Sequence, residues 1–493
     1  MPRDDTPTKA GYYSLELARL YKLDTPQYVD IKHLIYSWTI TESMDMGYMA
    51  GSANIVDGTG LIYNFLKVGL RGEEEFEVSY YDYFEKRRTN RFVVYAITGV
   101  KPIQSNNETA LEYTIHYVSK EKFYTDRFDI QRSYRGGVIS DYVSRMWKQY
   151  WVGAEPGALS TYNRPLTEDD LTVYPTAGKQ DIIIPKYKPE QAMHLMSRKA
   201  ADVTPSKMQV IRFYQNRDQF RFGSHDLLID AGIDNPLKHK FIVVNLPDYT
   251  PSGQDYIMQN IISIEFPDHV NTMKDMNDGA YYRRTTELDF MNRAIGVVPF
   301  KYLDKYVSYN LPDATVSPRG GEVIAGNRSK HTKAFVDKHL SDYKDTLVIR
   351  DYAYSDYGFD PYLTQDRHYN RIYNDKVANL YHHENEMTDM TVYGRNDLLA
   401  GDIVEIEVLR AIGDREETGP VVDEERSGFY LIEKVDNIFK EDTYTQNIMM
   451  SKSSFRGKPE SADYSFNGKN MSVSEFLETN RGTFEDPRIP KAT

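Results

Sequence analysis

Apolar and polar residues alternate one for one in two separated stretches of this sequence. Tyr36, Trp38 and Ile40 alternate with Ser37, Thr39 and Thr41, and Leu111, Tyr113, Ile115 and Tyr117 with Glu112, Thr114 and His116. A period of two puts every second side chain on one face of a strand, so these segments predict sheet with one buried face. Residues 92–97 are apolar on both sides, as a central strand would be. Gly58, Gly60, Gly69, Gly72 and Gly99 punctuate the runs, and a small closed or nearly closed barrel of short strands is the economical fold for residues 1–125. The alternation returns at Val404, Ile406 and Val408, with further strands over 429–435 and 444–450 and turns at Gly394, Gly401 and Gly428. Residues 376–456 therefore form a second β module.

Between these stretches the period changes. Ile139, Tyr142, Val143, Met146 and Trp147 make one apolar stripe of a helix that Ser140 or Gly136-Gly137 would start. Pro189 fits the first turn of another helix carrying Ala192, Leu195, Met196 and Ala200 on one face. Strands follow over 210–214 and 220–222, joined by the polar turn Asn216-Arg217-Asp218, so 126–235 reads as a mixed α/β module. Ile262, Ile264 and Phe266 alternate within a strand-containing segment, 236–300, expected to join the second module. Residues 301–375 are an irregular, Tyr/Asp-rich insertion that loops out, and 457–493 a polar tail.

Composition narrows the function. The 493 residues exceed the usual span of one core, and 40% hydrophobic with 27% charged residues is ordinary for a folded protein. A formal charge of −13 argues against a phosphate-tracking surface. The absence of cysteine excludes disulfides, thiolate metal sites and a cysteine nucleophile. No apolar h-region follows the polar start, which gives no support to a secretory signal, and no apolar run approaches the roughly 20 residues of a membrane span. Forty tyrosines against 21 phenylalanines suit half-buried, interface-forming surfaces.

Candidate chemistry is thin. In His382-His383-Glu384 the imidazoles are adjacent, whereas a zinc-protease helix needs them four apart. Gly321 and Gly326 have phosphate-loop spacing but are followed by Asn327 and Arg328 instead of Lys and a hydroxyl. Asp351, Asp356 and Asp360 miss the alternating positions of a calcium loop. Glu73-Glu74-Glu75 reads as the solvated start of a strand, and no Gly-x-Ser-x-Gly elbow occurs. No catalytic, metal or cofactor-binding residue is assigned, and the expectation is a protein that is not an enzyme.

The order of local phrases resembles the central baseplate hub proteins of contractile-tailed phages, relatives of the hub part of type VI secretion spike proteins. The phrases are Trp38-Thr39-Ile40-Thr41-Glu42-Ser43, then 51–57, then Leu70-Arg71-Gly72-Glu73-Glu74; Arg132 to Val143 with Gly136-Gly137; the aromatic-flanked turn of 213–224; Met390-Thr391-Val392-Tyr393-Gly394 with Leu399-Ala400-Gly401-Asp402-Ile403-Val404; and Ser427-Gly428-Phe429-Tyr430-Leu431-Ile432. Together they cover most of residues 30–456. The resemblance implies an α+β, mainly β fold with two small tudor-like β-barrels and mixed α/β modules between them. In it Gly72, Glu73, Gly136, Gly137, Gly394, Gly401, Asp402, Gly428 and Tyr430 are structural motif residues. It further implies a homotrimer whose six barrels form a pseudo-sixfold ring between a sixfold tail tube and a trimeric spike. Tube or tube-initiator proteins, the spike and neighbouring baseplate wedge proteins would be partners, and genomic DNA passing cargo. The place would be the virion tail baseplate, assembled in the host cytoplasm. Tyr and Asp crowding over 343–381 motivates a rival, a receptor- or glycan-binding tail protein; a tail-associated hydrolase would need a catalytic module that the sequence does not offer.

Overall fold

The computed structural model describes residues 10–22, 25–67, 70–105, 108–153, 160–203, 210–225, 227–229, 240–243, 258, 260–268, 282–289, 294–301, 344–349, 376, 387–408, 423, 426–452, 464–466 and 469–471. The described chain is mainly β, as expected, and none of its helices is long and apolar enough to cross a membrane.

The first unit contains β1 (Ser14–Tyr21), β2 (Tyr28–Asp30), β3 (Ile35–Ser43), β4 (Ala50–Asp57), β5 (Glu75–Tyr81), β6 (Arg87–Ser105) and β7 (Glu108–Ser119). They lie antiparallel in the order β3-β4-β7-β6-β5-β1-β2. The two-residue period is realised from Trp38 and Tyr113 onward, where Trp38, Ile40, Ala53, Ile55, Tyr113, Ile115 and Tyr117 share one core with Ile62 and Leu66 of a short helix, α1 (Leu61–Leu66); Tyr36 and Leu111, expected on the same face, are exposed at 44% and 39%. Phe92, Val93 and Val94 are buried from both sides, but Tyr95 is 54% exposed. It is the extra residue of a bulge between the pairs Val94↔Tyr117 and Ala96↔His116, and β6 leaves the core there.

The middle unit holds α2 (Lys120–Thr125), β8 (Ile130–Val138), α3 (Ile139–Trp147), β9 (Leu171–Val173), β10 (Lys179–Tyr187), α4 (Pro189–Lys199), β11 (Ile211–Gln215) and β12 (Phe220–Ser224). Both helices bury the predicted stripes, Leu195 only in part, and Pro189 opens α4. Neither Ser140 nor Gly136-Gly137 starts α3. Gly137 and Val138 are still paired to Gln180 and Lys179 of β10, so the helix begins directly at Ile139 without a side-chain cap.

The second unit is assembled from distant segments. β13 (Lys240–Val243) and β14 (Ile261–Asp268) join β18 (Met387–Tyr393), β19 (Ile403–Val408), β20 (Gly428–Lys440) and β21 (Thr443–Ser451), with β14 against β18 as the sequence predicts for a strand near Ile262. Between them β15 (Tyr282–Asp289), β16 (Ala294–Lys301) and β17 (Lys344–Ile349) make a separate small sheet; the aperiodic stretch 301–375 supplies β17. A hairpin of β22 (Tyr464–Phe466) and β23 (Lys469–Met471) lies in the polar tail.

The two β units do not stand apart as separate barrels. β20 pairs with β3 from Lys434↔Ser43 to Lys440↔Ser37, which makes one 13-stranded, open sheet. In the second unit one contact draws the ends together, the bridge Ile242↔Asn260, without a closing ladder among the described residues; in the first, Ile31 N–H to Ala18 O at 2.8 Å only extends the β1–β2 ladder by one step.

The same five-strand pattern occurs twice. The chain order β3, β4, β5, β6, β7 with spatial order β3-β4-β7-β6-β5 is repeated by β14, β18, β19, β20, β21 with spatial order β14-β18-β21-β20-β19. Irregularities repeat as well. Tyr36 and Ile262 are skipped at the same point of β3 and β14, between the pairs Ile35↔Ile55 and Ser37↔Asn54 in one unit and Ile261↔Val392 and Ser263↔Thr391 in the other. Tyr95 and Glu433 are skipped at the same point of β6 and β20.

Candidate functional site

The first unit, the middle unit and the second unit meet at the side chain of Arg217, in the turn between β11 and β12. Asn216 shapes that turn: its Oδ1 accepts the N–H groups of Asp218 and Gln219 at 3.0 and 2.9 Å. Arg217 is thereby aimed inward, where its side chain and that of Glu42 are both 0% exposed. Its Nε donates to Glu42 Oε1 at 2.7 Å and its backbone N–H to Oε2 at 3.0 Å. Nη1 donates to Tyr444 Oη at 3.0 Å and Tyr80 Oη at 3.3 Å, and Nη2 to the Leu398 carbonyl. Burial opposes the guanidinium charge, yet Glu42 and the two phenols hold its pKa well above the usual value. Burial likewise pushes both phenols up, so they stay neutral. One cation thus satisfies β3, β5, β21 and the 394–402 loop together.

A second arginine closes the site from outside. Arg88 of β6 donates to the carbonyls of Arg217 at 2.9 Å and Asn396 at 2.6 Å and pairs with Asp218. Asn396 in turn donates its backbone N–H to Asp82 Oδ2 at 2.8 Å. Below, Asn437 donates to Ile40 O at 2.9 Å and accepts from Tyr444 Oη at 2.6 Å and Gln446 Nε2 at 2.9 Å. The cleft above, of about 540 Å³, is lined by Lys86, Arg87, Arg88, Arg221, Asp218, Asp397 and Asp402 among others. Its charges are largely matched across it, Lys86 to Asp397 at 3.0 Å and Arg88 to Asp218, which suits a bonded seam better than a substrate pocket.

Several sequence-selected residues sit at this junction. Gly394 lies against Tyr444, where an added Cβ would be 2.1 Å from the ring. Gly401 has φ +89°, and a Cβ there would meet the Tyr214 hydroxyl at 2.0 Å. Its N–H donates to Ile432 O at 2.8 Å, and Ile432 N–H returns to Asp402 O at 2.9 Å, while Asp402 Oδ2 accepts Leu399 N–H at 3.1 Å. The first unit repeats this turn: Glu73, φ +70°, donates to Val94 O at 2.7 Å, Val94 returns to Glu74 O at 2.8 Å, and Glu74 Oε1 accepts Arg71 N–H at 2.9 Å. Glu74 is consequently buried, which corrects the expectation of a uniformly solvated Glu73-Glu74-Glu75; only Glu73, after Gly72, is exposed. Gly428 starts β20 at φ +139°, and buried Tyr430 donates to Arg426 O at 2.7 Å. Gly136 and Gly137 lie elsewhere, in β8, where Gly136 N–H donates to Asp181 at 2.7 Å.

Sequence reading missed Glu42, Arg88, Arg217, Asn396 and Asn437. The available signal was a charged turn, 216–218, held between Phe213-Tyr214 and Phe220, strands too apolar for a solvated connection. The His382 cluster, Gly321 and Gly326, and Asp351, Asp356 and Asp360 lie outside the described residues. Among the described residues no group of three or more His, Asp or Glu side chains could hold a metal ion.

The sheet face opposite the core is also distinctive. It is laid with short polar side chains that bond one another: Thr114 to Asn54 at 2.7 Å, Asn54 to Ser37 at 2.8 Å, Thr39 to Ser52 at 3.1 Å, Thr41 to Asp436 at 2.6 Å and Thr391 to Asn447 at 3.1 Å. These bonded pairs lie on β7, β4, β3, β20, β21 and β18, across both units, with Asp436 opposite Asn447 in the β20–β21 register.

Acid sensitivity belongs to the middle unit. Glu190 is partly desolvated, but His194 and Lys122 outweigh burial and hold its carboxyl below the ordinary range. A lowered folded pKa gives stability that is present above the unfolded value, about 4.3, and lost as pH falls through the folded one. Glu190→Gln should cost about 1.5–3 kcal/mol at pH 7, in urea melts, and markedly less at pH 3. An equal cost at both would contradict this role.

No protein-family model matches the sequence, and no curated protein does. The chain is similar in fold to solved phage tail and type VI secretion proteins. A tail protein from Neisseria meningitidis MC58 is 9% identical, with 90% of this chain and 97% of that one covered at a TM-score of 0.47. The 43 kDa tail protein of prophage MuSo2 from Shewanella oneidensis is 10% identical, with 89% and 98% covered at 0.45. A type VI secretion system component from E. coli is 10% identical, with 90% and 79% covered at 0.38.

Proposed function

We propose that the chain is the structural hub of a contractile-tail baseplate, a homotrimer that adapts a sixfold tail tube to a trimeric spike, with no catalytic role. The observation that carries this reading is the internal duplication. Two equivalent β units per chain give three chains six similar places, so one ring can meet sixfold symmetry on one side and threefold on the other. In this reading each unit acts as a small barrel. The self-bonded hydroxyl and amide face lines the central channel, where it offers a passing nucleic acid few cations to hold its phosphates. The overall charge of −13 acts in the same direction. Tube and wedge proteins would seat on the rims.

Light scattering on the purified protein, alone and mixed with the trimeric spike of the same tail, tests the adaptor. Three copies of the chain are expected, either alone or in complex with the spike. A single chain in both would sink it and bring forward the rival reading, a glycan-binding tail protein.

A further inference from the structure

We propose that α4 is a strut between the two β units, held at its first turn by the connection from β3 to β4 and at its last turn, through Lys376, by the equivalent connection from β14 to β18. The device goes beyond the hub reading and does not depend on it.

The duplicated pattern puts the two contacts in matching places. β3 and β4 correspond to β14 and β18, so residues 44–49 and 269–386 are the same step of the repeat, one short and one long. Each reaches α4. At the N-terminal end, Gly47 N–H donates to Glu190 Oε1 at 3.3 Å. The approach is close: a Cβ on Gly47 would lie 2.8 Å from Glu190 Cγ and 2.9 Å from the Phe213 ring. Lys122 Nζ donates to the other carboxylate oxygen at 2.5 Å, so both oxygens of Glu190 are engaged. At the C-terminal end, Lys376 Nζ donates to the Arg198 carbonyl at 2.7 Å and the Ser197 carbonyl at 3.1 Å.

The helix needs that lysine. The last four carbonyls of a helix find no partner inside it. In α4, Ala200 N–H donates to Met196 O at 2.8 Å and Gln180 Nε2 to Lys199 O at 3.1 Å, and among the described residues Lys376 serves the two between. Burial brings its amine down to about 7, but charged or neutral it carries hydrogens for both carbonyls. Along the body of α4, Ala192, Met193 and Met196 are fully buried in the middle-unit core. A helix packed in this way shifts as a rigid body, so a displacement of either β unit is passed along α4 or breaks one of its end contacts.

Glu190 and Ser197 are about 10 Å apart along the helix axis at 1.5 Å per residue, and changes at independent sites that far apart ordinarily leave one another unaffected. Hydrogen exchange of the full-length protein, read by mass spectrometry, follows both ends. In Lys376→Met, exchange should rise at least about threefold over 196–201 and also over 44–49. Gly47→Ala, whose methyl pushes the loop off Glu190, should produce the same rise over 196–201. Should one of these variants not fold, the other decides alone. Lys376→Arg keeps its donors and should leave both ends unchanged. Acceleration confined, in either variant, to the altered end would overturn the strut and leave Lys376 a local cap. So would a uniform rise that includes β6 and β7, which reports global loosening, or a Lys376→Arg protein as fast as Lys376→Met.

Discussion

Arg217→Ala should lower unfolding stability by about 3–5 kcal/mol, because it leaves the Glu42 carboxylate buried without its cation and strips a donor from Tyr80, Tyr444 and Leu398 O. The loss is not one of volume. Arg217→Met combined with Glu42→Leu removes both charges and should recover most of it, as replacing a buried ion pair by packed apolar groups commonly does. Denaturant melts of the single and double variants check this. A double variant as unstable as Arg217→Ala would mean that the pair's remaining hydrogen bonds, not the stranded charge, carry the effect. Since the residue joins three units, the single variant should also broaden the transition as they uncouple.

Gly394→Ala should cost about 3 kcal/mol, at the upper end for overpacking. Its Cβ would fall 2.1, 2.2 and 2.3 Å from three atoms of the Tyr444 ring. That ring cannot retreat, because it stacks on Phe439 at 4.2 Å and its hydroxyl is bonded to Arg217 and Asn437. Gly58→Ala, whose Cβ meets only Ala110 at 4.0 Å, is the control and should change the melting midpoint little. Equal effects of the two would show that backbone freedom rather than the tyrosine sets the need for glycine at 394.

The strands were legible because their alternation is a direct imprint of one buried face: Trp38, Ile40, Tyr113, Ile115 and Tyr117 are all buried where the period put them. The helical stripe of α3 was legible for the same reason. That the second unit repeats the first strand for strand was not, because what the two units share is backbone hydrogen bonding, which side chains barely record. Glu73 and Gly401 occupy the same left-handed position, Tyr36 and Ile262 the same bulge, yet nothing in residue type links them. Arg217 was hidden for another reason. A charged side chain in a turn reads as solvated unless its partners are known, and Glu42, Tyr80 and Tyr444 come from positions far away in the chain. The open course of β6 past Tyr95 was obscured by its composition, since an apolar run looks the same whether or not a second strand covers it.

The most direct test of the account is an electron-microscopy image of the assembled protein viewed down its symmetry axis. The account predicts three copies with six β lobes around one channel and the Thr114, Asn54, Thr39 and Thr41 face turned toward the channel. A twofold dimer, or a ring with that polar face turned away from the channel, would contradict it.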